Sequence, residues 1–169
     1  MASRAQPSPF RDSMRAGARR SIALIGGTAL FLVTLLLVLA LLSYHSQDPS
    51  LNTASAGPAR NLLGSTGAWL ADLLYTALGL PVLLLAPVPL SVTNRLWLDR
   101  PVGDWQTMLR GALLSAALVA IGLALLHIDG SLPVDWRLPG GLGGLVGLAA
   151  AGLVDWLIGL AGEASVSFW

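Results

Sequence analysis

The chain has 169 residues, 54% of them hydrophobic and 11% charged, with a net charge of +1 and a mean hydropathy of +0.70. Soluble domains carry about 25% charged residues, so this composition excludes a charge-coated globule and points to lipid as the solvent. The chain has no cysteine and no lysine, which excludes disulfides, thiolate metal sites, Schiff-base chemistry and the phosphate-gripping lysine of a P-loop.

Residues 1–20, MASRAQPSPFRDSMRAGARR, mix proline, serine and arginine without helical periodicity. They are expected to form a disordered, arginine-rich cytoplasmic tail. Ile22–Leu42 contains no charge and reaches the length of about 20 residues that a bilayer demands of a helix. This predicts a first span near 22–42. The Arg19-Arg20 pair ahead of it suggests a twin-arginine signal, but the apolar core of a signal is only about 7–15 residues long. A retained signal-anchor is the better reading.

The run stops at the strip SYHSQDPSLNTASAG, residues 43–57. The residue before a proline disfavours the helical region, so Asp48-Pro49 predicts a break. Asn52, Thr53, Ser55 and Gly57 are turn and cap formers. A second apolar segment follows, with Leu62, Leu63, Trp69, Leu70, Leu73 and Leu74 at helix-compatible spacing. Trp69 stands where an interfacial belt places an aromatic ring. The second span is expected near 70–93. Pro81, Pro87 and Pro89 predict that it is kinked or partly unwound.

A third span is expected near 108–128, with Arg110 at its edge free to snorkel. The region 142–162 is apolar but rich in glycine and carries Asp155. Two readings stand: a fourth span with a buried Asp155, or an interfacial helix followed by the start of a last span at 164–169. Residues 21–169 thus read as one all-α, polytopic membrane domain. The segments outside the spans hold five, one, three and one arginines in chain order. The positive-inside rule therefore predicts a cytoplasmic N-terminus and a cytoplasmic 95–110 loop.

An internal echo accompanies this pattern. Residues 57–80 align without gaps to 140–163, and Gly57, Leu62, Gly64, Ala68, Leu70, Asp72, Leu74 and Gly79 fall on identical residues. If the echo is structural, each non-cytoplasmic loop ends in a short helix bearing one aspartate. Ionisable groups at membrane depth are functional candidates by default. For Asp72 and Asp155 the readings are helix capping or loop packing, an oligomer contact, and proton handling, with packing the simplest. His45 and His127, with Asp48 and Asp129, lack the spacing of a metal site. No catalytic, cofactor or metal residue is expected in the chain.

The ordered set Ser43, Tyr44, Asp48, Pro49, Ser50, Thr53, Ala54, Ser55, Asn61, Gly64, Gly67, Ala68, Ala71, Asp72, Leu73, Leu74 and Gly79 closely resembles the N-terminal membrane domain of the FtsK/SpoIIIE DNA translocases. The later GGLVGLAAAGLVDWLIGLAGEASV resembles that family's glycine-rich approach to its last span. The resemblance implies a multi-pass bacterial inner-membrane anchor and septal scaffold for cell division and chromosome partition. It implies a homo-oligomer, septal division proteins as partners, and DNA, ATP and Mg handled only by a motor outside this chain. Asp72, Asp155, Trp69, Gly64 and Gly67 are then structural or oligomer-contact candidates. A small polytopic transport or channel subunit is the alternative.

Overall fold

The computed structural model describes residues 9–128 and 138–166. The described residues are all helix and connecting loop, with no strand. Five α-helices run in order: α1 (Pro9–Leu42), α2 (Gly64–Leu78), α3 (Pro87–Trp97), α4 (Trp105–Ile128) and α5 (Gly144–Val166). A 3-10 helix, Leu80–Leu85, lies between α2 and α3.

Helix α1 is longer than the apolar run that nucleates it. It starts at Pro9, a residue suited to the first helical turn because its missing N–H is not needed there. The expected disorder of residues 1–20 is therefore replaced by helix from residue 9 onward; residues 1–8 lie outside the described set. Extending an existing helix is far easier than nucleating one, and Met14, Arg15, Ala16, Ala18, Arg19 and Arg20 are all good helix formers. At 1.5 Å per residue α1 is about 50 Å long, well beyond the ~30 Å hydrocarbon core.

The second span departs from its expected form. Instead of one helix over 70–93, the chain ends α2 at Leu78 and turns at Gly79 (φ 64°, ψ −153°). It continues as the 3-10 helix and restarts as α3 with Pro87 in its first turn. Proline at 81, 87 and 89 removes the hydrogen bonds a continuous helix would need. The stretch long and apolar enough to cross a bilayer is thus Leu80–Trp97, alongside Ser13–Leu42 and Trp105–Leu126. Helix α2 is a separate, short element.

Where the third span is expected near 108–128, helix α4 runs Trp105–Ile128, begun by Asp104, whose carboxylate accepts from the Thr107 N–H at 3.4 Å and from the Thr107 hydroxyl. Helix α5 runs unbroken over Gly144–Val166, so no break near 162 separates an interfacial helix from a last span. Residues 167–169 lie outside the described set.

Two contacts organise the bundle. At one end α1 meets α3. Gly27 is buried against Leu96 and Trp97, the Phe31 and Trp97 rings meet tilted by 51° with centroids 5.2 Å apart, and Arg20 donates to the Leu96 and Trp97 carbonyls at 3.4 and 2.8 Å. At the other end Leu41, Ala71, Tyr75 and Val82 form the core where α1, α2 and the 3-10 helix converge. The segment before α5 closes over it: Leu80 N–H donates to the Leu142 carbonyl at 3.0 Å, and Gly143 and Gly147 lie against Ala120 and Ala124 of α4.

Candidate functional site

The strip that halts the first apolar run folds back as a cap over the end of α1. Asp48 is 3% exposed, and both its carboxylate oxygens are used. One accepts from the Arg60 N–H at 2.8 Å, the other from the Asn61 N–H at 2.9 Å. This pins residues 48 and 60–61 together and closes the loop between them.

Asn61 then ties the loop to the helix end. Its side-chain amide donates to the Ala40 carbonyl at 2.8 Å and the Ser43 carbonyl at 3.3 Å. The first is a carbonyl of the last turn of α1, where intrahelical partners run out, and the second lies one residue past the helix end. The Asn61 side-chain oxygen accepts from the Leu63 N–H at 3.0 Å, one residue before α2. Ser43 adds a second tie, donating to the Leu39 carbonyl at 2.7 Å and accepting from the Leu62 N–H at 3.1 Å.

Asp72, on α2, closes the other side. It is completely buried. Its carboxylate accepts from the Tyr44 hydroxyl at 3.2 Å, and from the Asn52 backbone N–H and side-chain amide, both at 3.0 Å. The Asn52 amide also donates to the Thr76 hydroxyl at 2.7 Å. Tyr75 donates to the Leu41 carbonyl at 3.1 Å, and the Tyr44 and Tyr75 rings meet edge-on at 5.1 Å. Burial, and after it the Asp72 charge, pushes the Tyr44 hydroxyl well above the usual phenol range. Tyr44 therefore stays a protonated donor at neutral pH.

The sequence-nominated residues fall into two groups. Asp72, Gly67 and Gly64 belong to the cap. Gly67 is buried beneath the Asn61 side chain, and a Cβ there would run into Asn61 Oδ1 and Leu63 Cβ. Gly64 (φ 66°) opens α2 in a left-handed conformation that favours glycine. Trp69 is 48% exposed on α2, beside a shallow depression of about 700 Å³ edged by Pro49, Thr53 and Thr66. Asp155 stands apart, exposed on α5 among exposed Leu153, Trp156, Leu157 and Ile158.

In the sequence Asn52 and Asn61 stand as turn and motif residues and Asp48 as a helix breaker, whereas in the structure they carry the hydrogen bonds of the cap. A signal was available: short polar side chains crowd the strip that follows a helix end, where orphan carbonyls need donors. Among the described residues no group of three or more His, Asp or Glu could hold a metal. The His45 ring lies 3.0 Å from the Ser43 carbonyl, while Asp129 and the side chain of His127 lie outside the described set.

This constellation coincides with the motif residues named in the sequence, and comparison with known proteins gives it a family. The 4TM region of DNA translocase FtsK/SpoIIIE matches residues 19–168. The chain belongs to that family. It is 33% identical over 135 residues to a DNA translocase FtsK of Bradyrhizobium diazoefficiens, covering 80% of this chain and 16% of that protein. It is 33% identical over 139 residues to one of Caulobacter vibrioides, covering 80% and 17%. A third, from Azospirillum brasilense, is 34% identical over 145 residues, covering 83% and 23%. The chain thus spans less than a quarter of the length of these relatives and matches their 4TM region alone. No solved structure matches it.

Proposed function

We propose that the chain anchors a DNA translocase in the bacterial inner membrane and serves as its scaffold at the division septum. The observation that carries this reading is the match to the 4TM region over residues 19–168, combined with three helices long and apolar enough to span a bilayer. The relatives are named as DNA translocases, and in this reading DNA, ATP and Mg belong to a motor outside residues 1–169. The chain itself performs no catalysis.

The arginines support one orientation of the anchor. Arg15, Arg19 and Arg20 flank α1 at one end, and Arg95, Arg100 and Arg110 flank the α3–α4 turn. Arg20 brings these two regions together through the Leu96 and Trp97 carbonyls. Both belong on the cytoplasmic side, and the cap built on Asp48, Asn61 and Asp72 belongs on the other. Helix α5, seated on α4, supplies the fourth crossing. The cap keeps the exit of α1 and the entry of the second span in fixed register. The transport alternative needs a carboxylate free to change partners, whereas Asp72 is held by three hydrogen bonds.

Two measurements test the proposal. A fluorescent fusion of the chain should gather at midcell in dividing cells; uniform membrane fluorescence would remove the septal role. Single cysteines at Gly140 and Ser165 should label from opposite sides of the membrane. Labelling from one side would place α5 along the surface.

A further inference from the structure

A groove of about 480 Å³ opens between α1, the 3-10 helix, α3 and the start of α4 and reaches Leu74 of α2, with walls that include Leu37, Val92, Val102, Trp105 and Leu109. Nearly all of its lining is hydrocarbon. The one hydroxyl on its wall, that of Thr34, is spent on the Leu30 carbonyl at 2.8 Å. Buried water needs two to four polar partners, so the groove offers water no stable place.

The length of the groove is informative. Its α1 wall runs from Leu30 to Leu41, about 16 Å along the helix axis at 1.5 Å per residue. That is close to half of the ~30 Å hydrocarbon thickness, or one leaflet. An extended hydrocarbon chain fits this shape.

One end of the groove carries a cation. Arg95 follows Val92 by one helical turn on α3. Past the end of α3 the chain turns back through Asp99, in a left-handed conformation (φ 54°), and lays Pro101 against the Arg95 guanidinium, Nη1 donating to its carbonyl at 3.3 Å. The next residue, Val102, is part of the groove wall. Arg20 nearby has a carboxylate partner, Asp99 at 3.7 Å. Among the described residues, no carboxylate stands within 4.0 Å of Arg95, and the residue is exposed.

We propose that this groove holds an acyl chain of an anionic phospholipid whose phosphate lies against Arg95. A guanidinium matches phosphate geometry through paired N–H donors, and basic positions between helices on the cytoplasmic side suit anionic head groups. The site would tie the bundle to acidic lipid, and it does so independently of where in the cell the chain resides.

The test is native mass spectrometry of the purified chain, equilibrated in detergent with equal amounts of phosphatidylglycerol and phosphatidylethanolamine. The native chain should retain phosphatidylglycerol about fivefold over phosphatidylethanolamine, the preference one near-surface arginine supplies. Arg95→Gln, an exposed position, should bring that ratio to about one. Val92→Trp should reduce retention of both lipids severalfold, and Leu109→Phe provides a milder filling should Val92→Trp fail to fold by circular dichroism. Arg60→Gln, at the cap, should leave the ratio unchanged. Equal retention of the two lipids by the native chain, or an unchanged preference in Arg95→Gln, would overturn the proposal. So would unchanged retention when the groove is filled, since the lipid would then be annular.

Discussion

Helices α2 and α5 start from one sequence pattern and end in two different environments. Asp72 and Asp155 occupy matching positions of the internal echo, 57–80 against 140–163. Asp72 is fully buried and accepts three hydrogen bonds, while Asp155 is exposed. Their C-terminal ends differ as well. Gly79 ends α2 in a left-handed turn, but α5 runs straight through the matching Gly162 to Val166. The chain following each glycine accounts for this: Leu80-Pro81 cannot continue a helix, whereas Glu163-Ala164 can. Similar local sequence thus yields a closed structural cap in one copy and an open apolar helix in the other.

The sharpest way to break this comparison is at its aspartates. Asp72→Ala removes the acceptor for the Tyr44 hydroxyl and both Asn52 donors. It should cost about 3–5 kcal/mol, since hydrogen bonds to a charged acceptor contribute about 1.5–3 kcal/mol each and the three do not add fully. Unfolding of the detergent-solubilised protein by increasing SDS would show it. An effect under 1 kcal/mol would mean the cap does not hold the fold.

Gly79 comes next. A Cβ there would strike the Leu142 carbonyl and the Gly144 nitrogen, and the backbone sits at a positive φ. Gly79→Ala should cost about 2–4 kcal/mol in the same assay. Gly159→Ala, within the continuous helix α5 and with open space where its Cβ would stand, should instead be neutral or mildly stabilising.

Tyr44→Phe removes one donor to a charged acceptor and should cost about 1–2 kcal/mol. This contribution has a pH signature. A folded-state pKa raised above the usual value near 10 gives stability that is fully present below about pH 10 and lost as pH rises through the folded value. The gap between the native chain and Tyr44→Phe should therefore stay constant from pH 7 to about pH 10 and narrow only above it. A gap that closes at neutral pH would mean that the hydroxyl is not the donor.

The smallest effect belongs to Asp155. Asp155→Asn should change stability by no more than about 0.5 kcal/mol, as exposed substitutions usually do. A cost as large as that of Asp72→Ala would show that α5 has a cap of its own.

The cap was only half legible from sequence. Asp72, Gly64 and Gly67 stood out through the echo and the family motif. Asp48, Asn52 and Asn61 read as breaker and turn formers, because their preferences for such places are local. Their partners, the Ala40 carbonyl and the Asp72 carboxylate, lie about 20 residues away in the chain. The second span was misjudged for a related reason: uncharged residues run continuously from 73 to 94, and hydropathy alone joins what Gly79 and three prolines divide.

The sequence by itself determined the solvent of this protein, its helical class and its family. Each of these follows from properties summed locally along the chain: transfer of apolar residues to lipid and the satisfaction of backbone hydrogen bonds within a helix. Only the tertiary structure decided that Asp72 is locked while Asp155 is open, that Asn61 closes the end of α1, and that Gly79 must be bare where Leu142 crosses it. Burial and hydrogen bonding of those groups depend on atoms brought from elsewhere in the chain, and no local sum contains them.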